Sequence, residues 1–157
     1  MNEFHFSHDH HLILKTVLAI DFGEKFIGLA TYCVNRDPYP TPYGRIENKG
    51  WEFVKKELQK VLNDEFIEIF VIGVPLLLDG KATSSTQRAR DFIQLIQNHF
   101  TLPLYEQDET LSTFEAESRM KNSPQYNFQV DYSKIDAVAA SVILEDFIRQ
   151  QKNNLGV

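Results

Sequence analysis

The sequence of 157 residues has one cysteine, no long apolar run and no excess of basic residues. A single cysteine, Cys33, allows no internal disulfide, so we expect a reducing, cytoplasmic setting. The apolar stretches are far shorter than the ~20 residues of a membrane span. The N-terminus has no basic segment followed by an apolar one, so we expect no signal peptide. A formal charge of −6 argues against indiscriminate binding to nucleic acid, although a local basic rim around a metal site remains compatible with it.

The composition is that of one globular domain. Hydrophobic residues make up 43% and aromatic residues 12% of the chain, which suits a single core in about 150 residues. We predict a domain over 16–151, with a mobile N-terminal tail (1–15) and a C-terminal tail (152–157). The N-terminal tail holds four histidines, and we assign them no function because no apolar residues fix their geometry: His5, His8, His10 and His11.

Hydrophobic periodicity predicts an α/β fold. Apolar runs at 17–20, 26–32, 43–47, 67–73 and 102–105 predict five strands. Helical spacing predicts helices over 51–62, 84–99, 112–121 and 133–151, and the patterns at 84–87 and 112–115 match capping boxes. Residues 122–132 lack periodicity and are predicted to form a mobile loop. The order indicates a mixed sheet with helices on both faces.

Acidic residues occur where strands end. Asp21 closes the first predicted strand, Glu109 follows the last one beside Asp108, and Asp136 falls in the first turn of the last helix. Ligands of open α/β sheets collect at the carboxyl ends of strands, and clustered carboxylates favour Mg²⁺ or Mn²⁺. Two such ions can activate water for phosphodiester hydrolysis. Each acid also has a structural explanation: a turn for Asp21 and Asp108, or the helix dipole for Asp136.

The stretch 20–23 alone also fits a phosphate loop of the actin, Hsp70 and sugar-kinase superfamily. Those proteins close two related domains over ATP and need a second glycine-rich loop. A chain of 157 residues without an internal repeat disfavours that interpretation.

Four segments in order resemble the YqgF/RuvX family, the RuvC-like Holliday junction resolvase homologues. They are DFGEKFIGLA at 21–30, VIGVPLLLDG at 71–80, DETLST at 108–113 and DAVAA at 136–140. The resemblance implies a ribonuclease H-like fold and a metal-dependent nuclease linked to 5′-end maturation of the small-subunit ribosomal RNA precursor. It assigns Asp21, Glu109 and Asp136 as catalytic residues that hold two Mg²⁺ or Mn²⁺ ions, with Asp108 a further candidate ligand.

The same resemblance predicts a phosphate path along the 76–85 loop. Lys25, Lys81, Arg88 and Arg90 are the proposed contacts, although exposed helix-face charges explain them equally well. Glu24 and Asp79 are weaker candidates because turn chemistry explains both.

The chain also departs from the family pattern, which usually has basic residues at the positions of Phe26 and Thr110 and a lysine-rich loop at 122–132. That loop contains no Lys or Arg here. Two alternatives therefore stay open beside the RNA nuclease: a non-catalytic RNA- or ribosome-associated module, and a resolvase of branched DNA. We expect structured RNA as partner, no membrane, and a monomer or weak homodimer.

Overall fold

The computed structural model describes residue 12, residues 14–109 and residues 112–154, the last three by their backbone alone. The four tail histidines lie outside the described residues. Leu12 is buried in the core, and the Leu14 N–H donates to the carbonyl of Val34 at 3.0 Å. Leu12 and Leu14, two residues of the predicted tail, therefore contact the domain, and the domain bounds given above stay a prediction.

The described part of the chain contains five strands and four helices. The strands are β1 (Thr16–Asp21), β2 (Phe26–Cys33), β3 (Thr41–Glu47), β4 (Ile69–Val74) and β5 (Leu104–Asp108). The helices are α1 (Trp51–Asp64), α2 (Ser84–His99), α3 (Ser112–Lys121) and α4 (Ile135–Asn154), with one 3₁₀ turn at Pro124–Tyr126.

The strands form one mixed sheet in the order β3-β2-β1-β4-β5. β1, β2 and β3 are antiparallel neighbours, whereas β4 runs parallel to both β1 and β5. The predicted five-stranded α/β architecture is confirmed. Because β1 and β5 lie on either side of β4 and run the same way, the residues that follow them emerge at one edge of the sheet.

Each face of the sheet is covered by helices. Alternation along β1 sends Leu18 and Ile20 towards α1 and α2, and Val17 and Ala19 towards α4. All six residues of β4 are buried, as a strand covered on both faces requires. α4 is therefore the central helix of its face, and its first turn is fixed relative to β1 and β2.

The bounds of α2 match the prediction, but its capping box begins one residue earlier than predicted. Thr83 is the N-cap, and the reciprocal capping partner is Thr86 rather than the predicted pair in 84–87. The reason is that Thr86 is fully buried and its hydroxyl also donates to the carbonyl of Pro75, which fixes the helix start against the loop after β4.

α3 has the predicted bounds, and the hydroxyl of its first residue, Ser112, donates to Glu109 at 3.1 Å. α4 begins two residues later than predicted, since the N–H and hydroxyl of Ser133 are held by the Asp131 carboxylate.

Residues 122–132, predicted to form a mobile loop, contain the 3₁₀ turn. Within this segment, Tyr126 and Val130 pack against a small cluster formed by α3 and α4. No helix among the described residues is both long and apolar enough to cross a membrane.

Candidate active site

Asp21 and Glu109 meet at the edge of the sheet where β1 and β5 end. Asp21 is the last residue of β1, and Glu109 follows β5 directly, its N–H donating to the carbonyl of Val74 at 3.2 Å. The two carboxyl groups are hydrogen-bonded to each other, with the protonated Glu109 as donor. The sequence prediction that these acids converge is therefore correct for this pair.

Gly73 of β4 makes room for the pair. A Cβ at Gly73 would lie 2.7 Å from Glu109 Oε2 and 3.0 Å from its Cδ, closer than real Cβ contacts allow. The carboxyl group of Glu109 thus lies on the bare backbone of β4. Sequence reasoning missed this role, although a glycine inside an otherwise β-branched strand signals a close approach.

Burial is the main cause of a raised pKa in both carboxyl groups. Burial, opposed by the hydrogen bond from Glu109 and assisted by the charge of Asp136, raises the pKa of Asp21 to about 6. Burial, then the charge of Asp21, raises the pKa of Glu109 to about 9. Near neutral pH the pair therefore keeps one proton, the usual outcome when two carboxyl groups share a site without a cation.

Asp136 reaches the same edge from the other side. It lies in the first turn of α4, whose backbone touches β2 at Gly28: a Cβ there would be 2.0 Å from the Asp136 carbonyl oxygen. Gly28 is also the β-ladder partner of Asp21. One glycine therefore permits the approach that places Asp136 close enough for its charge to act on Asp21.

Arg45 is the cation of this site, and sequence reasoning did not find it. Its Nη1 lies 3.7 Å from Asp136 Oδ2 and donates to the Tyr132 carbonyl at 3.3 Å. Its guanidinium lies 3.7 Å above the ring of Phe26. Because Arg45 pairs with Gly28 across β2–β3, it stands in one row with Asp21, an arrangement that only the strand register reveals.

The predicted phosphate contacts lie elsewhere. Arg88 pairs with Glu24 at 3.0 Å, which joins α2 to the β1–β2 turn, and Lys81 pairs with Asp79 at 3.7 Å in the loop after β4. Lys25 and Arg90 are exposed. Within the described residues none of these four forms an ion pair with Asp21, Glu109 or Asp136, so their proposed roles remain predictions.

The carboxylates partly fit a divalent ion. Their oxygens are hard ligands of the kind Mg²⁺ and Mn²⁺ take, and the retained proton is what a cation between Asp21 and Glu109 would replace. In the described part of the chain, however, no three Asp, Glu, His or Cys side chains stand together as a ready metal cluster. Asp21 and Glu109 are in contact, whereas Asp136 acts on Asp21 through its charge from a greater distance. Asp108 is exposed, and its charge helps to raise the pKa of Glu109.

This sheet order, with acids on the first strand, after the last strand and on the final helix, defines a ribonuclease H-like protein of the resolvase type. Solved structures agree in fold. RuvC of Thermus thermophilus superposes with a TM-score of 0.52 at 12% identity, covering 87% of this chain and 96% of that one. The fowlpox virus resolvase, solved with Holliday junction DNA, gives 0.56 at 10% identity, covering 87% and 98%.

Sequence comparison makes the assignment narrower. Residues 15–150 match the family RuvX, described as "Holliday junction resolvase". A protein of Maridesulfovibrio salexigens named "Putative pre-16S rRNA nuclease" is 33% identical over 84% of this chain and 96% of its own length. A protein of Escherichia coli O157:H7 with the same name is 33% identical over 86% of this chain and 96% of its own length. The chain belongs to the RuvX family, which confirms the resemblance seen in its motifs and disfavours the ATP-binding superfamily.

Proposed function

We propose that the protein is a divalent-metal-dependent nuclease that hydrolyses phosphodiester bonds in the precursor of small-subunit ribosomal RNA, at its 5′ end, in the cytoplasm. The observation that carries this proposal is the meeting of Asp21 and Glu109 at one edge of the sheet, as a half-buried carboxyl pair whose raised pKa values keep one proton at neutral pH. A pair of this kind costs folding free energy and suits a site built for a cation. The names of relatives 33% identical over most of the chain support the choice of substrate.

Each residue of the site would have a distinct role in metal binding or substrate orientation. Asp21 and Glu109 would hold the ion after losing their common proton, and Asp136 would join them from α4. A bound Mg²⁺ or Mn²⁺ would supply an activated water and stabilise the leaving oxygen. Arg45, beside Asp136, would orient the phosphate that enters, since guanidinium groups form paired hydrogen bonds with phosphate oxygens.

The experiment is a cleavage assay on a precursor ribosomal RNA transcript in Mg²⁺, Mn²⁺ or EDTA. Asp21→Asn should abolish cleavage and leave the circular dichroism spectrum unchanged. Glu52→Gln is the matched control, because Glu52 is exposed on α1, where it pairs with Lys55. Cleavage by Asp21→Asn at the wild-type rate would contradict the proposal.

A DNA junction resolvase is the second candidate, favoured by the description of the matched family. A four-way DNA junction in the same assay separates the two, since a resolvase would cut the junction and spare the transcript. A non-catalytic module would cut neither substrate, and wild type and Asp21→Asn would then behave alike.

A further inference from the structure

The structure contains a groove beside the carboxylate site that the chemistry above does not use. It has a volume of about 800 Å³ and lies between the edge strand β3 with its preceding loop, the 3₁₀ turn, and α4. Cavities of about 300–1,000 Å³ are the size of ligand sites, so this one admits individual bases but not a duplex.

We propose that the groove binds an unpaired stretch of the nucleic acid next to the cleavage site, a proposal that rests on the proposed function and extends it. The groove adjoins the carboxylate site. Gly44, which precedes Arg45, and Ala137, which follows Asp136, both line it. A strand whose phosphate lies at Asp136 and Arg45 therefore has the groove beside its neighbouring nucleotides.

The basic residues near the groove differ in how tightly carboxylates hold them. Lys134 lines the groove 3.9 Å from Asp131, and Arg45, which follows the lining residue Gly44, lies 3.7 Å from Asp136. Arg119, also in the lining, is held more closely, by Glu145 at 2.9 Å and by Glu115 at 3.2 Å. A phosphate therefore replaces the carboxylate partner more readily at Lys134 and Arg45, beside the carboxylate site, than at Arg119.

The rest of the lining suits bases. Tyr39 presents a ring that is 61% exposed, and Tyr126 lines the opposite wall with its ring near the Lys134 ammonium. Ser123 and Gln125 add hydrogen-bonding groups to the lining. Aromatic rings that stack bases, combined with a few cations, are the usual means of holding single strands.

Tyr43 is an exception among the tyrosines of the wall. Its hydroxyl interacts with Glu65 at the end of α1, on the other face of the sheet, so only the backbone of Tyr43 is available to the groove. We assign the stacking to Tyr39 and Tyr126 alone.

The test is fluorescence anisotropy with a labelled uridine 12-mer RNA and a blunt RNA duplex of equal length, in EDTA. We expect the single strand to bind at least tenfold more tightly than the duplex. The double variant Tyr39→Ala/Tyr126→Leu should lose about tenfold or more in single-strand affinity, since each stacked base contributes roughly that factor. Tyr39→Phe/Tyr126→Phe keeps both rings and should bind like wild type.

The matched control is Phe66→Ala, which removes a ring that is 80% exposed between α1 and β4, outside the groove. It should leave binding unchanged. Equal affinity for duplex and single strand, or no loss in the ringless variant, would overturn the proposal; a peptide or a second protein as the true occupant would give that result.

The assay also separates the groove from catalysis. If no nucleic acid is cleaved while the ring-dependent binding persists, the proposed function fails and the groove proposal stands. If cleavage occurs but binding ignores the rings, only the groove proposal fails.

Discussion

Gly73 and Glu109 are in contact across β4 and β5: a single methyl group on Gly73 would lie 2.7 Å from Glu109 Oε2. We expect Gly73→Ala to displace the Glu109 carboxyl group from Asp21 and to lower the cleavage rate at least tenfold. The added Cβ also meets Ile143 Cδ1 at 2.6 Å, so the variant should lose roughly 1–3 kcal/mol of stability, as overpacked cores do. Urea unfolding and initial cleavage rates measure the two effects.

A second variant separates these effects. Ile143→Val removes the Cδ1 atom that the new methyl group would strike, and leaves the collision with Glu109 in place. Gly73→Ala/Ile143→Val should therefore recover part of the lost stability without recovering activity. Recovery of both together would mean that Gly73 serves only packing against α4.

The carboxyl pair makes the stability of the metal-free protein depend on pH. Since the folded protein binds more protons than the unfolded chain between the ordinary carboxyl pKa and the raised values of about 6 and 9, its free energy of unfolding falls as pH rises through that window. Glu109→Gln removes the group that must ionise. We expect the free energy of unfolding of this variant to match that of wild type near pH 5 and to exceed it by on the order of 2 kcal/mol near pH 9.

Denaturant unfolding of both proteins in EDTA, at pH 5, 7 and 9, measures this difference. Asp108→Asn is the control, because Asp108 is exposed and acts on Glu109 only as a neighbouring charge. Its curve should stay close to that of wild type. A constant gap between Glu109→Gln and wild type at all three pH values would contradict the shared proton.

A divalent metal ion should restore the stability that is lost when Asp21 and Glu109 both ionise. Mg²⁺ or Mn²⁺ binds the deprotonated carboxylates, so it should raise the melting temperature by several degrees at pH 8.5 and by much less at pH 6. Glu109→Gln should lose most of that rise at both pH values. Differential scanning fluorimetry with added metal, and then with excess EDTA, measures it; an equal rise in wild type and variant would place the ion elsewhere.

The sequence was sufficient for the parts of the fold that follow from local pattern. Strand and helix order came from periodicity, and the acids at strand ends predicted the meeting of Asp21 and Glu109. Arg45 could not be found this way, since its place beside Asp136 depends on the register of two antiparallel strands. Register is set by the pairing of distant residues, which no local pattern contains.

The cap of α2 shows a second kind of limit. Residues 83–87 are all Ser, Thr or Gln, so several of them satisfy the capping pattern. The choice of Thr83 and Thr86 is made by a tertiary contact, the hydrogen bond from buried Thr86 to Pro75. Likewise, the 122–132 segment has too few apolar residues for a periodic signal, yet Tyr126 and Val130 suffice to pack it against α3 and α4.

Gly28 offers the sharpest test of how α4 is positioned. A Cβ at this residue would lie 2.0 Å from the carbonyl oxygen of Asp136 and 2.4 Å from its carbonyl carbon, and backbone atoms cannot rotate away as a side chain can. Gly28→Ala should therefore push the first turn of α4 off the sheet, cost roughly 3 kcal/mol or more, and abolish cleavage. Thr31→Ala, which removes atoms from the same strand, should cost far less. Urea unfolding midpoints report the stability. Near-wild-type stability and activity in Gly28→Ala would show that α4 can hold Asp136 at the site without this close approach.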